Sequence, residues 1–116
     1  AAVTVCRANI TTLGLGEVVQ VRAASVATTL AHPPDRPYDL VFADPPYDLP
    51  AADVDAVLAA LLTHRWLAPD ALVVLERGSR DRPPSLPPAL TGRSRRYGET
   101  TLWFCEAVED PTTVRA

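Results

Sequence analysis

Between residues 38 and 47 the chain reads Tyr38-Asp39-Leu40-Val41-Phe42-Ala43-Asp44-Pro45-Pro46-Tyr47, and no other run limits the fold so strongly. Residues 38–43 are nearly continuously apolar, as in a parallel strand covered on both faces. Two prolines then stop the strand, since neither donates a backbone hydrogen bond and each confines its predecessor to extended geometry. The run predicts a buried strand with a rigid turn at its carboxyl end.

The flanks supply helices. Val3, Cys6, Ile10 and Leu13 recur at helical spacing, and Gly14 offers a stop. Residues 17–22 are rich in valine and predict a strand, and Ser25 is placed to cap a short helix from Val26 to about Ala31. Beyond the prolines, Val54, Val57, Leu58, Leu61 and Leu62 form the stripe of a helix that starts near Asp53 and ends near Trp66-Leu67, before Pro69. Residues 71–76 predict a third buried strand. Runs at 93–97 and 100–106 flank Gly98-Glu99, which signals a hairpin. The expected class is α/β, an αβαβαβ chain whose mostly parallel sheet is closed on one edge by an antiparallel hairpin.

The 116 residues suffice for one domain, residues 1–116, with an acid- and threonine-rich stretch from about 107 to 116 expected as a disordered tail. No apolar run reaches the ~18 residues of a membrane span, so no membrane partner is expected. Cys6 and Cys105 have no metal-ligand spacing; no metal site is expected, and two free, buried thiols in a reducing cytoplasm are the default. His32 and His64 are isolated and expected at the surface, while Trp66 and Trp103 are expected in the core. Glu76, ending a strand, is read as an acceptor that anchors a loop in preference to a residue that approaches the substrate pocket. Charge is unevenly spread: residues 35–55 hold six Asp and one Arg, whereas residues 77–96 hold six Arg and one Asp. Arg77, Arg80, Arg82, Arg93, Arg95 and Arg96 are either a solvated basic loop or a surface that meets phosphates.

In open α/β sheets ligands bind beyond the carboxyl ends of strands, where residues 44–47 fall. Asp44 and the proline carbonyls make a cluster of hydrogen-bond acceptors, and Tyr47 adds an aromatic face on which a base can stack. This set suits methylation of an exocyclic amine on a nucleobase. The lone pair of such a nitrogen is delocalised into the ring, and hydrogen bonds from its N–H groups to Asp44 and the Pro45 carbonyl would localise it. Stacking on Tyr47 would hold the base in line with a methyl sulfonium, so positioning supplies most of the acceleration. Asp44, Pro45, Pro46 and Tyr47 are therefore the candidate catalytic residues.

Val41-Phe42-Ala43-Asp44-Pro45-Pro46-Tyr47 resembles the amino-methyltransferase signature of enzymes acting on adenine N6 or guanine N2. The ordered series Asn9, Leu13-Gly14-Leu15, residues 38–47, Trp66-Leu67, Glu76 and Tyr97-Gly98-Glu99-Thr100 is more specific. It resembles the bacterial RsmD family, which methylates a guanine N2 of 16S ribosomal RNA in the small subunit. The resemblance spans residues 3–106 and implies a Rossmann-like class I methyltransferase fold that uses S-adenosylmethionine. It also implies a first strand with a glycine-rich loop and an acidic second strand, neither of which is in this sequence. Gly14-x-Gly16 follows a helix, so it is a helix stop. The chain is accordingly expected to be a carboxyl-terminal part that lacks its first strands and is inactive alone. Of the cofactor site it would keep the loop Ala23-Ala24-Ser25 and a contact at Asp44. Expected partners are 16S ribosomal RNA or the small subunit, and a second copy of the chain through the exposed sheet edge. The rival readings are a DNA adenine-N6 methyltransferase fragment and a non-catalytic nucleic-acid-binding module.

Overall fold

A computed structural model describes residues 2–46 and 48–108. Its elements run α1 (Ala2–Leu13), α2 (Val26–Leu30), β1 (Tyr38–Ala43), α3 (Ala51–Thr63), β2 (Leu67–Gly78), β3 (Leu90–Tyr97) and β4 (Thr100–Ala107). The strands make one sheet in the order β1-β2-β4-β3. β1 is parallel to β2 as expected, and α3 makes the crossover. The run expected to be covered on both faces is covered on one: no residue of β1 is buried, and Leu40 and Phe42 face away from the helices at 60% and 63% exposure. The hairpin folds back antiparallel, with β4 inserted between β2 and β3. Its two-residue turn places Gly98 first at φ +62°, a conformation open to glycine at little cost.

One face of the sheet carries the core. Val41 and Ala43 of β1, Val73 and Leu75 of β2 and Cys105 of β4 pack with Val54, Leu58 and Leu61 of α3 and with Leu30 of α2. The 3–4 spacing along α3 puts its three buried residues on one stripe, and each fully buried Leu or Val contributes roughly 1.5–3 kcal/mol. Farther along this face Leu86 lies against Gly92, where any Cβ would collide with its methyl group. Trp66 fastens the connection into β1: its indole N–H donates to the Leu30 carbonyl at 3.2 Å, and its ring stacks on Tyr38 at 5.9 Å. Both tryptophans pack against the core as expected.

Four local expectations are corrected. Residues 17–22 form no strand: the amides of Val18 and Val19 both donate to the Leu15 carbonyl in a turn, and Val18 is 77% exposed. An extended segment persists only with a hydrogen-bonded neighbour, and residues 17–22 pair with no described strand. Helix α1 forms and ends at Gly14 (φ +67°), but none of its residues is buried, so Cys6 is exposed whereas Cys105 is not. Helix α3 starts at Ala51 and stops at Thr63, where His64 caps it and Arg65 turns the chain at φ +61°. Strand β2 therefore begins at Leu67 and runs through Pro69, making a detour at Asp70 (φ +62°): Tyr38 faces Leu67, but Leu40 already faces Leu72. At the other end, Ala107 still pairs with Leu90, and the Val108 amide donates to Ala89 at 2.8 Å. The rest of the expected tail, 109–116, lies outside the described residues.

Candidate active site

Asp44, Pro45 and Pro46 follow the carboxyl end of β1 directly, as the strand-then-turn pattern requires. The Pro46 carbonyl accepts the Leu49 amide at 3.0 Å, which closes a tight turn and occupies one of the two proline acceptors. The Asp44 carboxylate and the Pro45 carbonyl remain as the acceptor pair. Tyr47, the expected stacking ring, lies outside the described residues.

The register brings a second carboxylate to this place. Ala43 pairs with Leu75, so Asp44 and Glu76 lie side by side one step beyond, on the same face of two parallel strands. Partial desolvation raises the Glu76 pKa, the adjacent Asp44 charge raises it further, and a hydrogen bond with Asp44 adds to both. Of the two roles open to Glu76, approach to the pocket is the one its position beside Asp44 favours over loop anchoring; the alignment is hidden in the sequence because register is a property of two strands and not of either run.

A buried arginine supports the turn from below. Arg77 is 4% exposed, and its Nη2 donates to the Leu49 carbonyl at 3.1 Å while lying 3.9 Å from the Asp81 carboxylate. Asp81 in turn accepts the Gly78 amide at 2.9 Å. The end of β2 thus grips the segment between the prolines and α3. Nearby, Asp55 of α3 accepts from Arg82 at 2.7 Å and from the Ser85 amide at 2.8 Å. Partial burial pushes the Asp55 pKa up, but the hydrogen bonds and charge of Arg82, with the Ser85 amide, outweigh that and hold it below the ordinary value. Arg77 and Arg82 therefore leave the group of phosphate-facing candidates. Burial pushes the Cys105 thiol up, away from nucleophilic use.

The expected cofactor loop, Ala23-Ala24-Ser25, is exposed and precedes α2. The Ser25 hydroxyl is engaged in capping, accepting the Thr28 amide at 3.1 Å and donating to the Thr28 hydroxyl at 2.7 Å. No hydrogen bond among the described residues joins this loop to Asp44. A Cβ at Gly14 or Gly16 would meet open space, so neither glycine makes a cradle for a phosphate or a nucleotide. Among the described residues the acceptors Asp44 and Pro45 therefore lie together beyond β1, while the expected cofactor loop Ala23-Ala24-Ser25 stands exposed and apart from them. No cluster of three or more metal-ligating side chains occurs among the described residues, and no described helix is long and apolar enough to cross a membrane.

Residues 1–106 match the model of a family described as conserved hypothetical protein 95. No curated protein matches the chain. Among solved structures, a candidate methylase from Haemophilus influenzae superposes with a TM-score of 0.79 at 26% identity, over 92% of this chain and 66% of its own. A candidate methyltransferase from Escherichia coli, YhhF, gives 0.79 at 23% identity over 90% and 57%. The rRNA methyltransferase AviRa from Streptomyces viridochromogenes gives 0.54 at 21% over 75% and 38%. The chain spans less than two thirds of the length of each of these proteins. The architecture they share with it is the Rossmann-like methyltransferase fold.

Proposed function

The chain belongs to the conserved hypothetical protein 95 family, which is the RsmD family, and on that premise we propose that it carries the base-binding side of an RNA methyltransferase active site. The observation that supports this most is the alignment of Asp44 with Glu76 beyond the carboxyl ends of two parallel strands, next to a rigid proline turn. The reaction proposed is methyl transfer to the exocyclic N2 of a guanine in 16S ribosomal RNA. The donor proposed is S-adenosylmethionine, which supplies an electrophilic methyl group; Ala23, Ala24, Ser25 and Asp44 are the positions assigned to face it.

In this reading the Asp44 carboxylate and the Pro45 carbonyl accept the two N2–H bonds and direct the nitrogen lone pair out of the ring plane. Tyr47 stacks on the purine. Arg77, through Leu49, fixes the turn so that these acceptors keep their spacing. A carboxylate also suits the N1–H of guanine, so Glu76 is placed to favour guanine over adenine, whose N1 is an acceptor. That preference separates this reading from adenine-N6 methylation of DNA. The chain is assigned to the cytoplasm, where its substrate is made. The outer edge of β1, unpaired among the described residues, is assigned to pairing with a second copy.

The test is methyl transfer to 16S RNA by the longest natural chain containing this sequence. Asp44→Ala and Tyr47→Ala are each expected to lower kcat by roughly 10²-fold or more while the circular dichroism spectrum stays unchanged. Full activity in both variants would sink the assignment.

A further inference from the structure

The arginines that cluster in sequence are separated by the fold. Arg77 is buried beneath the proline turn and Arg82 is held by Asp55. Arg93 and Arg95 stand exposed on β3, and no described carboxylate forms an ion pair with either. Alternate residues of a strand share a face, so Arg93, Arg95 and Tyr97 form one stripe on the side of the sheet away from α3. Phe104 of β4 faces Arg93 across the ladder.

The stripe is ordered by aromatic contacts. The Arg93 guanidinium lies 5.5 Å from the Phe104 ring centroid, and that of Arg95 lies 5.6 Å from the Tyr97 centroid. Stacking of this kind stabilises the cation while leaving its in-plane N–H groups free to donate. Tyr97 is 53% exposed and keeps a ring face for another partner.

Register links this stripe to the acceptor pair. Arg95 pairs with Leu102, Leu102 pairs with Glu76, and Glu76 stands beside Asp44. One transverse row therefore runs from cation to carboxylates across three strand spacings, about 14 Å. A phosphate is attracted at the β3 end of that row and repelled at the β1 end, where the N–H-rich edge of a base is favoured. The polarity of the row matches a strand whose backbone is held at one side while a base reaches the other.

We propose that Arg93, Arg95 and Tyr97, backed by Phe104, form a docking surface for single-stranded RNA, with phosphates on the two guanidiniums and a base stacked on Tyr97. The site rests on this geometry; only the choice of RNA as the polymer rests on the methyltransferase reading. Because the chain as a whole carries a net charge of −3, attraction to a polyanion has to come from a local surface of this kind.

Binding of a fluorescent single-stranded RNA oligonucleotide to the 116-residue chain, followed by anisotropy over a series of salt concentrations, tests it. Each phosphate contact to a single strand adds about 0.7 to the slope of log affinity against log salt. The double variant Arg93→Gln/Arg95→Gln is expected to flatten that slope by about 1.4 and to weaken binding on the order of twentyfold at 0.1 M salt. Tyr97→Ala is expected to weaken binding with the slope unchanged, since it removes stacking and no charge. The pair Arg22→Gln/Arg36→Gln removes the same charge from exposed positions outside the stripe and is expected to change neither quantity. No binding by the unaltered chain, or an equal loss in the control pair, would overturn the surface. Binding to a DNA strand of the same sequence without binding to the RNA would overturn its assignment to RNA. The two readings fail separately: the salt slope of the arginine variants reports the β3 stripe, whereas methyl transfer by Asp44→Ala reports the acceptor pair.

Discussion

The two faces of the sheet are built from the same four strands and are finished differently. On one face Val41, Val73, Leu75 and Cys105 are covered by α2 and α3, and Val73 and Cys105 have no exposed surface at all. On the other, Leu40 and Phe42 of β1 are 60% and 63% exposed, although they alternate with Val41 and Ala43 in a single apolar run. Stability therefore comes from the first face. The second combines uncovered apolar surface with the Asp44–Glu76 pair and the β3 arginines, a mixture suited to contact with other molecules.

The largest expected effect sharpens that contrast. Leu58 is 1% exposed against the sheet, and Leu58→Ala is expected to lower the unfolding free energy by about 3 kcal/mol. Phe42→Ala removes a larger side chain from the open face and is expected to cost less than about 0.5 kcal/mol. Urea unfolding followed by circular dichroism measures both. Similar losses for the two variants would mean that Phe42 is covered in solution, and sedimentation of the unaltered chain would then show whether a second copy covers it.

Next in size is the anchor of the loop that follows β2. Asp55→Ala removes the Arg82 ion pair and the acceptor of the Ser85 amide, and is expected to cost about 1 kcal/mol at neutral pH. The Asp55 pKa is lowered in the fold, so its contribution is present above the unfolded value of 3.8 and is lost as pH falls through the folded one. Melts of the two proteins are expected to converge below pH 3.8. A gap of constant size across pH would mean that Asp55 acts through packing and not through its charge.

Much of this was legible in the sequence because it depends on local pattern. The apolar run 38–43, the α3 stripe Val54, Leu58 and Leu61, and the Gly98-Glu99 hairpin each declare themselves within a few residues. Residues 17–22 misled because valine content reports a preference for extended backbone, whereas a strand also needs a neighbour. Asp44 announced itself through the prolines that follow it. Its partner Glu76 and its support Arg77 lie some thirty residues away, and only the β1–β2 register and the Leu49 carbonyl reveal them. The arginine group illustrates the same limit: six like charges in one stretch of chain fall into buried, paired and exposed positions once strand alternation and the 79–89 loop are fixed.

The smallest expected effect has the opposite sign and bears on the open face alone. Glu76 is half buried there, and desolvation together with the neighbouring Asp44 charge raises its pKa above 4.5 in the fold. A carboxyl with a raised folded value favours the native state while protonated; that contribution is complete below pH 4.5 and is lost as pH rises through the folded pKa. Glu76→Gln keeps the shape of the protonated form and removes the charge. The variant is therefore expected to be slightly more stable than the unaltered chain at pH 7 and indistinguishable from it below pH 4.5, as read from melting temperatures across that range. Asp44→Asn should produce the same gain, and the double variant little beyond either single one, because each removes the same repulsion. Independent, additive gains would mean that the two carboxylates do not sense each other. Mutual repulsion is what the base-pocket reading needs, since two adjacent carboxylates held in place by the ends of β1 and β2 are relieved when N–H donors enter between them.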